Sequence, residues 1–247
     1  MSLKLISLNI EGHKHLNRII PFFKQQLPDV ICLQEVFKED LNKLKSNLYP
    51  HVFFIPTWRV SQTKHKGLTK GSKLWGIAVL ARVPIRLVFK KYYSFGIKIP
   101  RFTGPGKSSK CLLVVSAFKD NTSYIIGTTH FTWTPDGKTS ALQLTHLKRL
   151  LKILHPFKHL ILTGDFNAPR GLEIHQKLTS LFTDHIPKDI KTTVDPKLHY
   201  ANRKRSNTLQ TVVDYIFSTP EYQVKTKVQC GLSDHCAIIS DITKVYK

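Results

Sequence analysis

The stretch HLILTGDFN, residues 159–167, predicts an apolar strand that ends abruptly in a polar turn. Asp165 and Asn167 are two residues apart at the end of this strand, so both side chains can point to the same face. Gly164 directly precedes them and lets the backbone adopt a tight conformation that other residues avoid. A strand of this kind therefore delivers two oxygen-bearing side chains to one edge of a sheet.

Polar residues mark the ends of other predicted strands in the same way. Asn9 and Glu11 repeat the two-residue spacing at the end of LKLISLNI (3–10), and Glu35 ends the run ICLQE. The remaining residues of this kind are His130 after YIIGTT, Asp214 within VVDYIF, and Asp234 and His235 before CAIIS. Strand ends of an α/β architecture converge on one rim where ligands bind, so we expect one site there.

The chemistry of these side chains indicates what the site does. Carboxylate and amide oxygens suit a hard cation such as Mg²⁺, with Mn²⁺ able to substitute. Two histidines beside carboxylates can supply charge stabilisation and proton transfer. Each residue taken alone is more often a turn cap or an ordinary surface or core histidine. It is their recurrence at successive strand ends that favours a metal-dependent catalytic centre.

The distribution of elements favours an α/β fold of two packed mixed sheets flanked by helices. Amphipathic helices are predicted at 15–27 and 138–155, and most other apolar runs have the length of strands. The stretches 58–74 and 93–110 are rich in Gly, Ser, Thr and Lys and are predicted to be surface loops. No boundary divides the chain, so we predict a single domain over residues 1–247.

The charge of the chain is unusual for its size. Lys and Arg total 38 while Asp and Glu total 16, which gives a net charge of +22. Between Asp40 and Asp120 there is no acidic residue but there are 16 basic ones. Such a surface is typical of a protein that binds a polyanion, with nucleic acid as the first candidate and an anionic membrane as the second. A general solubility function, or a basic proteome, is the competing explanation.

Several other classes are disfavoured by composition. A hydrophobic content of 41% excludes a disordered chain, and no apolar run is long enough for a transmembrane helix. The four cysteines form no CxxC pair, so a zinc site is not expected. Whether Cys230 and Cys236 pair is left open by the sequence. The N-terminus carries no signal-peptide pattern, so we predict a cytoplasmic protein.

Seven motifs, in chain order, resemble the endonuclease/exonuclease/phosphatase superfamily, which has the deoxyribonuclease I-like fold, and place the chain near its nuclease-like branch. They are LISLNIEG (5–12), ICLQEV (31–36), GIAVLAR (76–82), TTHF (128–131), LTGDFN (162–167), VVDYIF (212–217) and LSDHCAI (232–238). The combination spans nearly the whole chain, whereas GDFN alone would be a weak signal. The resemblance implies a four-layer α/β/β/α sandwich.

The resemblance also implies a metal site. Glu35 would be the main Mg²⁺ ligand, and Asn9, Glu11 and Asp234 would complete or support it. Glu11 stands where several family members carry Asp, which keeps the charge but lengthens the side chain.

The same resemblance implies catalytic roles. Asp165 would position or deprotonate the attacking water, and Asn167 would hold the phosphate or that water. His235, oriented by Asp214, would stabilise the pentavalent phosphorane, and His130 would be a second donor to the phosphate oxygens. The implied reaction is phosphodiester hydrolysis by in-line attack.

Two departures from the family argue against a plain abasic-site endonuclease. TTHF stands where those enzymes carry YxPN, and Val213 stands where they usually carry Arg. In having a histidine at position 130, the chain is similar to deoxyribonuclease I, sphingomyelinases, deadenylases and tyrosyl-DNA phosphodiesterase 2. The WCDR signature of inositol polyphosphate phosphatases is absent.

Basic and aromatic residues predict the nucleic-acid contacts, because cations bind phosphates and rings stack on bases. The predicted contacts are Arg59, Lys64, Lys66, Lys70, Lys73, Trp75, Lys98, Arg101, Phe102 and Arg170. No base-reading motif is present, so little sequence specificity is expected. The sequence therefore predicts a monomeric, Mg²⁺-dependent DNA endonuclease with DNA, or RNA, as its partner and no obligate protein partner.

Three alternatives to this function stay open. One is a DNA-repair phosphodiesterase, either of the tyrosyl-DNA phosphodiesterase 2 type, for which Arg170 falls one position late, or of the abasic-site type. The second is a lipid phosphodiesterase similar to sphingomyelinases. The third is a non-catalytic nucleic-acid-binding module, against which the complete set of motif residues argues.

Overall fold

Twelve strands and four helices form the described part of the chain. The computed structural model describes residues 2–45, 47–60, 73–94, 99–101, 103, 107–201 and 209–245. The strands are β1 (Leu3–Asn9), β2 (Val30–Phe37), β3 (His51–Val60), β4 (Lys73–Ala81), β5 (Ile85–Tyr92), β6 (Cys111–Lys119), β7 (Thr122–His130), β8 (Ile161–Asp165), β9 (Thr183–Asp184), β10 (Asp214–Ser218), β11 (Tyr222–Gln229) and β12 (Ala237–Lys244). The helices are α1 (Leu16–Gln26), α2 (Leu41–Lys45), α3 (Ala141–Leu154) and α4 (Glu173–Thr179).

The strands form two sheets of six strands. The first has the order β11-β12-β1-β2-β4-β3 and the second the order β5-β6-β7-β8-β10-β9. Each sheet holds one parallel pair, β1 with β2 and β7 with β8, among antiparallel neighbours. The predicted pair of mixed sheets is confirmed.

Side chains of the first sheet alternate between two hydrophobic layers. On β1, Leu3 and Leu5 join the core between the sheets, whereas Ile6 and Leu8 join a second core with the apolar face of α1. Since successive side chains of a strand point to opposite faces, an unbroken apolar run fills both layers. Helix α3 contributes Leu150 to the core on the second sheet's side. The resulting layers are helix, sheet, sheet and helix, as the family resemblance implied.

This arrangement brings distant strand ends to one rim. Strand β1 ends at Asn9, β7 at His130 and β8 at Asp165. Strand β10 runs antiparallel to β8, so its first residue, Asp214, pairs directly with Asp165. Strand β12 begins two residues after His235. The rim therefore collects side chains from both sheets.

The region predicted as loop 58–74 is shorter than expected. Strand β3 continues to Val60 and β4 already begins at Lys73, and Trp58 pairs with Trp75 across the hairpin. The two indole rings pack edge to face, 5.7 Å apart between centroids, which favours pairing over a loop at this point. The rest of the predicted loop, residues 61–72, lies outside the described residues.

Two further observations concern helices. Helix α4 was not predicted, because only Ile174 and Leu178 mark its buried face. None of the helices among the described residues is long and apolar enough to cross a membrane.

Candidate active site

Asp165 lies at the centre of the rim and is almost fully buried. Its carboxylate accepts hydrogen bonds from the Asn9 side-chain amide (3.1 Å) and the Asn167 backbone N–H (2.8 Å). The Nε2 atoms of His130 and His235 lie 3.4 Å and 3.8 Å from its Oδ2 atom. Burial would raise the pKa of Asp165, but the two imidazoles and these donors lower it below its usual value. The carboxylate is therefore held in its ionised form.

His235 and Asp214 form a second pair. The Nδ1 atom of His235 lies 2.8 Å from Asp214 Oδ2, and the Asp214 backbone N–H donates to Thr193 Oγ1 (3.0 Å). Burial alone would lower the pKa of His235, but the carboxylates of Asp214 and Asp165 raise it well above its usual value. This geometry keeps the ring protonated, with Nε2 turned towards Asp165.

His130 has the opposite protonation state. Burial and the neighbouring Lys110 ammonium lower the pKa of His130 to about 3. The ring is neutral at neutral pH, and its Nε2 atom lies 4.0 Å from Glu35 Oε1. Two imidazoles beside one carboxylate thus differ in charge because their neighbours differ.

From the sequence, Lys110 is predicted only as one of several basic residues of the 93–110 loop, not as part of the catalytic centre. Only 3% of its surface is exposed, it lines the same pocket, and burial lowers its pKa to about 8. It immediately precedes β6, whose first residue is at the same rim. Its position is visible only once the strand order is known.

The backbone around the site is strained at several points. Glu11 (φ 48°), Glu35 (φ 59°) and Asn167 (φ 49°) have left-handed backbones although none is glycine. At Gly164 (φ 141°), a Cβ atom would lie 2.0 Å from the Thr129 carbonyl oxygen, so glycine is required there. Strain of this kind is typical of functional sites, where other contacts hold the backbone in place.

The donor set near Glu35 fits a hard cation. Burial and the neighbouring carboxylate of Asp234 raise the pKa of Glu35 to about 8. Carboxylates gathered this closely repel one another, and a divalent cation relieves that repulsion. The oxygen-rich chemistry of Glu35, Asp234 and Asn9 therefore suits Mg²⁺ or Mn²⁺.

The closely spaced groups that could bind a metal in the structure differ from the metal ligands that the sequence predicts. Among the described residues, two sets of carboxylate and imidazole groups lie within 4.8 Å of one another: Asp165–Asp214–His235 and His199–Asp234–His235. Asp195 lies equally close to Cys230 and Cys236, but these two cysteines form a disulfide and are not free to bind a metal. Glu35 is in none of these sets. His199 was not predicted, because no motif surrounds it in the sequence.

Asn9 and Glu11 are engaged in the turn that follows β1. The Glu11 carboxylate contacts Lys14 and accepts a hydrogen bond from His15 Nε2 at 3.0 Å. The Asn9 side-chain oxygen accepts from the Glu11 backbone N–H at 3.2 Å. Asn9 thus connects this turn to Asp165, in addition to any role at the metal.

One pocket of about 690 Å³ contains these groups. We call Glu35, His130, Asp165, Asp234 and His235, which line it, the catalytic cluster. A second group of lining residues is aromatic, and we call His13, Phe37, Trp58 and Trp75 the aromatic cluster. The pocket has a size typical of a small-molecule site.

The predicted nucleic-acid contacts occupy different surroundings. Lys73 forms an ion pair with Glu39, and Trp75 belongs to the aromatic cluster. Arg59 and Arg101 are exposed and are bridged to each other through their backbones. Lys64, Lys66, Lys70, Lys98 and Phe102 lie outside the described residues.

Arg170 is used internally. Its guanidinium donates to the carbonyl oxygens of Ile186 (3.0 Å), Pro187 (3.1 Å) and Ile190 (3.3 Å). It therefore holds the segment after β9 in place, and these contacts compete with any phosphate.

The segment that carries Asp234 and His235 is closed by a disulfide. Cys230 and Cys236 are bonded to each other, six residues apart in sequence. Asp195 Oδ2 accepts the Gly231 N–H at 2.6 Å, which ties the same segment to a distant part of the chain. The question of pairing that the sequence left open is thus answered.

The similarity to solved structures covers almost the whole chain. An endonuclease/exonuclease/phosphatase from Beutenbergia cavernae superposes with a TM-score of 0.73 at 19% identity, covering 99% of this chain and 72% of that one. The human Nocturnin catalytic domain with bound sulfate has a TM-score of 0.67 at 17% identity, covering 99% and 95%. TDP2 from C. elegans has a TM-score of 0.64 at 17% identity, covering 98% and 75%. At these identities the likeness establishes the fold.

No curated protein sequence matches this chain. The family model described as "Endonuclease/Exonuclease/phosphatase family" matches residues 6–235, from strand β1 to His235 of the catalytic cluster. The sequence motifs, the two-sheet architecture and this match agree, and the chain belongs to the endonuclease/exonuclease/phosphatase family.

Proposed function

We propose that this protein is a divalent-metal-dependent phosphodiesterase that hydrolyses nucleic-acid phosphodiester bonds, as a DNA endonuclease of low sequence specificity. Members of its family are generally hydrolases that act on phosphoesters, and they typically use a divalent metal. The observation that carries the proposal is the pattern of side chains around Asp165. Its buried carboxylate lies 3.4 Å from His130 Nε2 and 3.8 Å from His235 Nε2, and His235 Nδ1 lies 2.8 Å from the Asp214 carboxylate.

The roles of the chain's own residues follow from that pattern. Asp165 accepts a proton from the attacking water while the new P–O bond forms in line with the P–O bond to the leaving oxygen, which breaks. The leaving oxygen takes up a proton from solvent. The His235 imidazolium, oriented by Asp214, donates to the phosphate oxygens as negative charge develops on them. Neutral His130 donates a further hydrogen bond, and Asn167 holds the phosphate or the water.

Glu35 and Asp234, with Asn9, would hold the metal. Such a cation, when bound, would supply Lewis-acid stabilisation of the negative charge that develops in the reaction. This assignment is supported by the raised pKa of Glu35, which reflects burial beside other carboxylates.

The choice of nucleic acid as substrate is supported by charge. The chain carries a net charge of +22 and has no acidic residue between Asp40 and Asp120. Each duplex phosphate contact releases counterions, so about four contacts predict a roughly hundredfold loss of affinity between about 50 and 200 mM salt. Replacing Lys64, Lys66 and Lys70 together by Ala should flatten this dependence. Lys177, Lys225 and Lys227, replaced in the same way, are the control.

A panel of substrates tests the proposal directly. Supercoiled plasmid, single-stranded oligonucleotide, 5′-tyrosyl oligonucleotide, abasic duplex and sphingomyelin vesicles are incubated with and without Mg²⁺, with the Asp165→Asn variant as the inactive control. We expect metal-dependent cleavage of DNA by the wild type alone. Hydrolysis of sphingomyelin but of no nucleic acid, or DNA binding without cleavage of any substrate, would overturn the proposal.

A further inference from the structure

The four rings of the aromatic cluster form a continuous series. His13 stacks on Phe37 with 5.4 Å between ring centroids. The edge of Phe37 meets Trp75 at 4.6 Å, and Trp75 meets Trp58 at 5.7 Å. Strand β2 supplies Phe37, and the β3–β4 hairpin supplies both tryptophans.

A short turn joins this series to the catalytic cluster. Phe37 follows Glu35 by two residues on β2. The Gly12 N–H donates to the Glu35 carbonyl oxygen at 3.0 Å. A Cβ atom at Gly12 would lie 2.8 Å from the Phe37 ring and 3.4 Å from the Trp75 ring. The rings therefore lie one turn away from the proposed metal ligands.

The rings are not part of either hydrophobic core. Phe37 is 1% exposed and Trp58 is 9% exposed, yet neither joins the core between the sheets or the core beneath α1. The chain has three tryptophans, and Trp58, Trp75 and Trp133 all line the pocket. The buried Phe37 and Trp58 rings support Trp75, which is partly exposed at the pocket. A partly exposed indole outside the core points to a ligand that is itself flat and apolar on its faces.

The charges beside the rings restrict that ligand further. The Lys73 ammonium lies 5.6 Å from the centre of the Phe37 ring. This cation already occupies the position that a choline headgroup would take over an aromatic face. Because Glu39 pairs with Lys73, a choline headgroup would have to displace this ammonium from the ring, whereas an uncharged base would not.

We propose that the aromatic cluster is the subsite for an unpaired nucleobase next to the scissile phosphate, so that the substrate is single-stranded nucleic acid. This inference rests on the proposed function and narrows its substrate class. Aromatic side chains bind single strands by stacking on successive bases, with little dependence on sequence. A base within a duplex is stacked on both faces, and it reaches such a pocket only after leaving the stack.

Tryptophan fluorescence provides a test that is independent of catalysis. Because every tryptophan of the chain lines the pocket, stacking of a base should quench the emission. The wild-type protein is titrated in EDTA with a single-stranded DNA oligonucleotide and with an oligomer of abasic tetrahydrofuran residues of equal length. We expect quenching by the first and little by the second. Equal quenching by both, or quenching by sphingomyelin vesicles and by neither oligomer, would overturn the inference.

Steady-state kinetics tests the same subsite through Trp75. For single-stranded DNA, Trp75→Ala should raise KM about tenfold, which corresponds to the loss of one stacking contact. Trp75→Phe should recover most of this affinity, and KM on the abasic oligomer should change little. Phe118→Ala, which removes an exposed ring from the opposite end of β6, is the matched control.

The outcomes separate this inference from the proposed function. Metal-dependent cleavage of DNA with an unchanged KM in Trp75→Ala, or a wild-type preference for intact blunt duplex over single strands, would overturn the nucleobase subsite alone. Absence of cleavage of every nucleic acid would overturn the proposed function and the inference with it.

Discussion

The catalytic and aromatic clusters share one pocket but are built in different ways. The catalytic cluster takes residues from the ends of several strands in both sheets, and polar contacts such as Asn9 to Asp165 at 3.1 Å fix them. The aromatic cluster comes mainly from three neighbouring strands of one sheet and is held by ring contacts. Polar contacts can strengthen as charge develops in a transition state, whereas ring contacts hold substrate and transition state alike. The first cluster should therefore govern kcat and the second KM.

Metal removal should have the largest effect. We expect EDTA to abolish hydrolysis and Mg²⁺ or Mn²⁺ to restore it, because the proposed ligands are oxygens. Glu35→Gln should lose most activity at saturating substrate while keeping the wild-type melting temperature within a few degrees. Full activity in EDTA would contradict the metal assignment, and a variant that fails to fold would be replaced by Asp234→Asn.

Replacing the carboxylate of Asp165 should show most clearly that the two clusters affect different kinetic constants. Asp165→Asn keeps the shape of the side chain but removes the proton acceptor, so kcat should fall by about 10²–10⁴. KM for single-stranded DNA should change little, in contrast to Trp75→Ala. Steady-state kinetics of both variants on one substrate provides the measurement. A large change in KM with an unchanged kcat in Asp165→Asn would contradict the expectation that the catalytic cluster governs kcat.

The pH dependence should be set by His235. Its pKa is lowered by burial but raised more strongly by Asp214 and Asp165, so the protonated ring persists above the usual imidazole range. Activity should therefore be retained through neutral pH and should fall as alkaline pH removes this proton. Protonated His235 also stabilises the fold, and this contribution follows the same direction with pH. It is complete below the pKa that the histidine has in the unfolded chain, and it is lost as pH rises through its pKa in the folded protein.

The Asp214→Asn variant checks that assignment. Without this carboxylate the alkaline limb of kcat should move to lower pH, and kcat at its optimum should fall by about a hundredfold because the ring is less well oriented. Rescue is expected from Asp214→Glu, which keeps the charge. An alkaline limb that does not move in Asp214→Asn would assign the titration to another group, with Lys110 the nearest candidate.

The disulfide should have the smallest effect on activity. Closing the short loop between Cys230 and Cys236 should stabilise the fold by about 2 kcal/mol in the chain-entropy model. Reduction should lower the melting temperature and reduce kcat only a few-fold, because Asp195 still holds Gly231. Cys230→Ser should be equally destabilised and should not respond to the reductant. A wild type insensitive to reductant would contradict this role.

The same bond bears on cellular location. Disulfides persist mainly in oxidising compartments, which is at odds with the cytoplasmic location expected from the N-terminal sequence.

The sequence by itself determined the fold class and singled out the residues that meet in the catalytic cluster, whose catalytic roles stay predictions. Both depend on local patterns. An apolar run followed by Asp165 and Asn167, for example, predicts the end of a strand to within a few residues. Strand ends of this architecture converge, so their polar residues could be grouped without coordinates.

The tertiary structure alone decided the rest of the pocket. The sequence predicts Trp58 in a loop and Trp75 directly after it, because strand pairing across the hairpin is not encoded in either stretch separately. Lys110 is one basic residue among several in a predicted loop, His199 lacks any motif, and Asp195 reaches Gly231 across 36 residues. Such contacts depend on strand order and on the packing of two sheets. Their residue types carry no local signal, because a lysine, a histidine or a tryptophan is equally compatible with an exposed position until its neighbours are known.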